Sequence, residues 1–195
     1  SYRKPVYMNK PFALSPEEAE AMLDLAESYG FPLMSCSTLR YAAELRAFHR
    51  SSEWYGADVY GPMDLEPSQP GLFWYGIHLV EMLYKILGQG CHCVTTVKQE
   101  SQDIVIGEWK DGRIGTIRGN RFGNRQYGLS LHSSRGTVGF HPLSEQGSQS
   151  AMLRDFLNMS RSGTSPINGK ETLEIIRFIE AANESRASGA SVQLS

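Results

Sequence analysis

A histidine set in the middle of an apolar run is the residue of this chain best suited to acid–base chemistry. The run reads Phe73-Trp74-Tyr75-Gly76-Ile77-His78-Leu79-Val80-Glu81-Met82-Leu83. At helical spacing Trp74, His78, Glu81 and Lys85 share one stripe, because residues three and four apart are neighbours on a helix surface. Leu72, Leu79, Leu83, Ile86 and Leu87, with Phe73, Val80 and Tyr84, make the remaining circumference apolar, so the helix is expected to be buried on most sides. His78 is then either a satisfied core group or a group facing a cleft. An imidazole titrates closest to neutrality of all side chains, which suits proton transfer. Trp74 and Tyr75 can line a pocket, and Glu81, one turn on, can orient the ring. A second catalytic group has to come from elsewhere in the chain.

Other chemistry-bearing clusters are weaker. Cys91-His92-Cys93 lies in a strand-like segment, so the two thiols point to one face and the imidazole to the other. Structural zinc sites usually leave at least two residues between paired cysteines, so buried strand thiols are the preferred reading and no metal site is assigned. A zinc protein using Cys91, His92, Cys93, His132 and His141 is the remote alternative. Gly88-Gln89-Gly90 follows a helix and lacks a third glycine in register, so it reads as a helix stop and not a dinucleotide loop. Arg118, Arg121 and Arg125 with Gly119 and Gly123 form a basic connection that reads as a solvated loop in preference to a phosphate site.

Composition excludes several classes. The 195 residues carry a net charge of -2, with 41% apolar and 21% charged residues, ordinary for a globular domain. That balance leaves no electrostatic footprint for nucleic acid or an anionic membrane. No apolar run is long enough to span a bilayer. Three cysteines are too few, and odd in number, for a disulfide framework, which favours a reducing compartment, the cytoplasm being preferred, or simply buried thiols.

The elements that must position these residues can be read in order. Pro5-Val6-Tyr7-Met8 is a short strand ending at Asn9-Lys10-Pro11. Ser15-Pro16-Glu17-Glu18 opens a helix, with Ser15 capping, Pro16 at the first helical position and Glu18 closing a capping box; Gly30 stops it. Phe31 to Ser37 is a second strand. Strand, helix and strand form one right-handed parallel crossover unit, and two parallel strands alone are not a stable sheet. Residues 1–37 therefore read as the end of a larger doubly wound sheet. A helix is expected over Thr38–His49, a strand over Glu53–Tyr60, a loop over Gly61–Gly71, then the His78 helix. Strands follow near 91–98, 102–109, 113–119, 126–133 and 135–141, with Lys110-Asp111-Gly112 as a hairpin turn. A helix over Ser150–Met159 directs Met152, Leu153, Phe156 and Leu157 inward. Asn168 with Glu171 opens the last helix, bearing Leu173, Ile176, Ile179 and Ala182, and Ser191–Leu194 is a terminal strand. The fold class is α+β: a largely antiparallel open sheet with helices packed on one face, preceded by the strand-helix-strand remnant of a Rossmann-type sheet.

Taken together and in order, Asn9-Lys10-Pro11, Ser35-Cys36-Ser37-Thr38-Leu39-Arg40-Tyr41, Trp74-Tyr75-Gly76-Ile77-His78, Glu171-Thr172-Leu173-Glu174-Ile175 and Ala181-Ala182-Asn183-Glu184-Ser185 resemble the C-terminal portion of the Gfo/Idh/MocA oxidoreductases. The resemblance spans essentially the whole chain. It implies residues 1–37 as the end of a dinucleotide-binding Rossmann domain and residues 38–195 as a substrate and oligomerisation domain. It also implies NAD or NADP as cofactor of the full-length parent, a sugar, polyol or related carbohydrate as substrate, and a homo-oligomer formed through the open sheet face. This chain alone is expected to be inactive and not to bind the cofactor. Residue by residue, Lys10 matches the lysine of the family's Glu-Lys-Pro motif and His78 the helix histidine, as the catalytic pair. Lys10 and Pro11 stand on the cofactor side, and Arg40, Trp74 and Tyr75 on the substrate side. Asn9 replaces the glutamate of that motif, and Trp74 stands where many members carry an aspartate one turn before the histidine. The alternative is a non-catalytic binding or oligomerisation module without cofactor.

Overall fold

A computed structural model describes residues 3–48 and 53–194. The first unit joins strand β1 (Val6–Met8) through helix α1 (Pro16–Tyr29) to β2 (Leu33–Ser35), and the two strands pair in parallel, Tyr7 opposite Met34. Helix α1 starts and stops where its sequence dictates. Ser15 Oγ accepts from the Glu18 amide, Pro16 occupies the first turn, and Gly30 ends the helix in the left-handed region at φ 65°. Glu18 does not complete the reciprocal half of a capping box; its carboxylate accepts from the Leu14 amide, one residue beyond Ser15.

The helix expected over Thr38–His49 is broken in two. A 3-10 helix at Thr38–Tyr41, capped by Ser37, is separated from a short α2 (Ala43–Ala47) by Ala42, whose ψ of 146° cannot continue a helix. His49 lies outside the described residues.

The larger sheet is built from β3 (Trp54–Pro62), β4 (Cys91–Lys98), β5 (Gln102–Trp109), β6 (Ile114–Asn120), β7 (Gly128–Ser133), β8 (Gly136–Phe140) and β9 (Val192–Gln193), in the order β8-β7-β3-β6-β5-β4-β9. Every pairing is antiparallel except that of β3 with β6. Strands β4 to β6 form a meander turning at 99–101 and 110–113, as the alternation and the Lys110-Asp111-Gly112 turn predict.

One face of this sheet is covered by α3 (Gly76–Leu87) and α5 (Gly169–Ser188). Val59, Ile117, Leu129 and Leu131 from the strands meet Leu79, Leu83, Ile176 and Ile179 from the helices in one core. Gly115 permits the close approach of α3: a Cβ there would lie 2.8 Å from methyl carbons of both Leu83 and Leu87. The opposite face carries Asp58, Tyr60, Ile104, Ile106, Thr116, Arg118 and Ser130, and no helix among the described residues covers it.

Helix α4 (Ser148–Ser162) packs on the small sheet, not the large one. Its Met152 and Met159 join Met34, Cys36 and Ile167, with Phe156 beside them. Leu153 and Leu157, expected to point inward, are 47% and 53% exposed. The buried stripe runs through Ser148, Met152 and Met159, because Met34 of β2 and Cys36 just after it offer apolar surface on that side.

Candidate active site

Lys10 and His78 meet beside Trp74 and Tyr75. Lys10 lies two residues beyond β1, its peptide bond to Pro11 is cis, and its Nζ donates to the Trp74 carbonyl at 2.9 Å. The ammonium lies 4.5 Å from the Trp74 ring centre and 5.3 Å from that of Tyr75, a cation–π arrangement. Burial lowers its pKa. Trp74 is not on the helix with His78. It closes a 3-10 turn over Gly71–Phe73, and α3 begins only at Gly76. That turn frees the Trp74 carbonyl to receive the lysine.

His78 sits in the first turn of α3, half-buried. Its ring stands edge-on to Tyr75 at 5.5 Å and to Tyr127 at 6.3 Å. Burial, seconded by the positive charge of Lys10, pushes its pKa down to about 3, so the ring is neutral at physiological pH. It lines a cleft of about 320 Å³ with Thr38, Leu39, Pro62, Tyr75, Arg125, Tyr127 and Glu145. Gly61 makes room for one wall: a Cβ there would fall 2.4 Å from a ring carbon of Tyr127.

The group that holds the imidazole is Ser37, not Glu81. Ser37 Oγ stands 2.6 Å from His78 Nδ1, although 41 residues separate them in sequence. Glu81 instead turns into a buried network. Arg40 Nη1 donates to Glu81 at 2.8 Å and Arg40 Nη2 to Glu171 at 2.5 Å, all three side chains being almost fully buried. Burial alone would lower the Arg40 pKa, and the two carboxylates outweigh it and raise it. Burial in turn raises Glu81 against the opposing pull of Arg40. Arg40 therefore has both terminal nitrogens occupied and does not line the cleft, whereas Tyr75 and His78 line it, Lys10 and Trp74 stand against Tyr75, and Pro11 lines a separate pocket with Phe12, Leu14 and Met22. Glu171 serves this network, and Asn168 alone caps α5 by accepting from the Lys170 amide.

The other acidic and polar residues of α5 also tie elements together. Glu174 Oε1 accepts from the Gly90 and Cys91 amides at 2.7 and 3.0 Å and from the Tyr84 hydroxyl at 3.0 Å. Asn183 accepts from the Leu72 amide, and Ser185 from that of Thr96. Of the three arginines of the basic connection, Arg118 bonds Gln102 on the open sheet face and Arg121 bonds the buried Asp103. Arg125 reaches the cleft, where it pairs with Asp64 and lies 4.9 Å from the Tyr75 ring centre. Sequence reasoning missed Arg125 and Ser37 as cleft-associated residues. The serine's place two residues after β2, at a cap position, was the available signal.

Cys36, Cys91 and Cys93 are buried free thiols. His132 is bonded to Asp58 at 2.7 Å and to Thr137, and His141 lies against the Tyr60 ring. Among the described residues no group of three or more His, Cys, Asp or Glu is placed to hold a metal, and no helix is long and apolar enough to cross a membrane.

The fold is that of the C-terminal domain of Gfo/Idh/MocA-type oxidoreductases. One solved structure with this fold is GenD2 from gentamicin A biosynthesis in complex with NAD, at TM-score 0.82 and 19% identity, covering 99% of this chain and 72% of that one. A putative myo-inositol dehydrogenase from Sinorhizobium meliloti 1021 superposes at TM-score 0.81 with 15% identity, over 98% of this chain and 74% of its own. Levoglucosan dehydrogenase in complex with NADH and levoglucosan follows at 0.78 and 13%, over 98% and 74%. No family model matches the sequence, and no curated protein does.

Proposed function

We propose that the chain forms the substrate-side part of an NAD- or NADP-dependent oxidoreductase acting on a sugar, polyol or related carbohydrate, with Lys10 and His78 handling the proton. The observation that carries this reading is that the Lys10 ammonium and the neutral His78 ring both stand against Tyr75, which lines the cleft together with His78. Residues 1–37 belong, in this reading, to the cofactor side and residues 38–195 to the substrate side. The solved structures of the same fold that hold NAD or NADH, and in one case levoglucosan, support it.

The residues suit such a cofactor. Lys10 uses one of its three N–H donors on Trp74, and those remaining can meet a substrate oxygen or a nicotinamide carboxamide. Lys10 and Pro11 would stand on the cofactor side, and Trp74 and Tyr75 would give the apolar face against which a sugar ring stacks. A bound nicotinamide supplies the hydride acceptor or donor. Loss of hydride from a carbinol carbon requires loss of the proton on its oxygen, and reduction requires the reverse. His78 and Lys10 between them polarise that oxygen and handle that proton. Burial lowers the Lys10 pKa, which eases proton transfer through that amine, and keeps the His78 ring neutral.

In the full-length protein carrying this chain, assayed with NAD and NADP against a panel of sugars and polyols, Lys10→Ala and His78→Ala are each expected to lower turnover by roughly 10²–10⁴-fold. Near-normal turnover in both variants overturns the assignment. The same proposal puts the contact between copies on the uncovered sheet face, where Ile104 and Ile106 lie beside Asp58 and Arg118. Ile106→Glu is expected to shift the protein to a smaller species in light scattering, and an unchanged mass would remove that face from the assembly.

A further inference from the structure

The hydrogen bonds around Ser37 decide which nitrogen of His78 carries the proton. A serine hydroxyl has one proton to give and two lone pairs to receive. Ser37 Oγ already receives the Leu39 amide at 3.1 Å, as the cap of the 3-10 helix. The residue is fully buried, and among the described residues His78 Nδ1 is the only other partner of Oγ. If Nδ1 carried the proton and donated it to Ser37, the hydroxyl proton would be left without an acceptor in a site closed to water. That loss costs on the order of 1–3 kcal/mol. If Nδ1 is bare, the hydroxyl proton goes to it and every group is satisfied.

Resting on the oxidoreductase reading and refining it, we infer that Ser37 is a positioning residue that holds neutral His78 in its Nε2–H form, so that the ring presents a hydrogen-bond donor and not a base to the cleft. The consequence divides the labour of the pair. A neutral imidazole whose Nδ1 is occupied by a hydroxyl proton cannot take a further proton at Nε2, where one already sits. His78 then polarises the substrate oxygen, and the proton that leaves or joins that oxygen travels through Lys10, the other titratable group at the site. Protonating Nδ1 would force the Ser37 proton away from its only acceptor, which opposes the imidazolium in addition to burial and the neighbouring ammonium.

Ser37 itself is held from behind. Its backbone amide acts on the Glu81 carboxylate, which Arg40 grips, and favours the ionised form there. The buried ion network thus fixes the serine, and the serine fixes the ring.

The test is the tautomer, read without any turnover. Two-bond ¹⁵N–¹H correlation spectra of the histidine-labelled chain are expected to show His78 with a bare Nδ1 and a protonated Nε2. Ser37→Ala is expected to give a mixture of tautomers and to raise the His78 titration midpoint by about one pH unit. Ser37→Thr, which keeps both hydroxyl and cap, is expected to restore the wild-type pattern. A protonated Nδ1 in the wild-type spectrum overturns the proposal, even if Ser37→Ala fails to fold. So does a Ser37→Ala spectrum indistinguishable from wild type. Because the ring is observed directly, a wrong tautomer leaves the oxidoreductase reading standing, and an inactive parent enzyme leaves the tautomer standing.

Discussion

His78 and Glu81 stand three residues apart on one helix, yet their surroundings treat charge in opposite ways. Glu81 is closed in with Arg40 and Glu171, each charge meeting another across 2.5–2.8 Å. His78 borders a cleft, bonds one hydroxyl and is kept neutral by burial, with an ammonium nearby that bonds one carbonyl. The first arrangement is complete without any other molecule. The second leaves N–H donors on Lys10 and one side of an imidazole facing open space. A polar residue on an apolar helix therefore says little about function until it is known whether its partners are all internal.

The sharpest way to break this contrast is to empty the closed half. Arg40→Ala strands two buried carboxylates and is expected to cost about 3–5 kcal/mol of stability in denaturant titration. Lys10→Met, in the same titration, is expected to change stability by less than about 1 kcal/mol, since the ammonium is half exposed and bonds one carbonyl. Similar losses for both would erase the distinction between a structural and a functional charge here.

A smaller effect sharpens the open half. The His78 imidazole takes a proton near pH 6.5 when unfolded and only near pH 3 when folded. Between those values the unfolded chain binds more protons, so the ring destabilises the fold progressively as pH falls from about 6.5 to about 3. His78→Gln is expected to flatten the stability–pH curve over that window by up to a few kcal/mol relative to wild type. Parallel curves would show that the ring is not held neutral by the fold.

Much of this architecture was legible because it is encoded locally. The caps Ser15, Gly30, Asn168 and Gly88 sit where the sequence predicts, and the alternation of β4, β5 and β6 gives their limits to within a residue. Lys10 and His78 were singled out together only through the resemblance, since no local pattern joins residues on different elements. What stayed hidden is non-local. Glu81 has helical spacing to His78 but an arginine available on the 3-10 helix, and charge pairing outweighs proximity along the helix. Ser37 and Arg125 come to the cleft from a strand end and a loop whose spacing to α3 no periodicity records. Leu153 and Leu157 were misplaced because an amphipathic helix reveals its stripe but not which neighbour it will face.

The one parallel pairing of the large sheet bears on how the molecule assembles. Val59, at the centre of β3, meets Ile117 of β6 on one side and Leu129 of β7 on the other. Strands β4, β5 and β6 need only short turns to find one another, whereas β3 must wait for segments made long after it. The entropy of closing those large loops is spent before their contacts give anything back. This interior strand is thus made before both of its neighbours and is expected to be enclosed only after both, and the wall that holds Tyr127 against Gly61 is set only when that enclosure is finished.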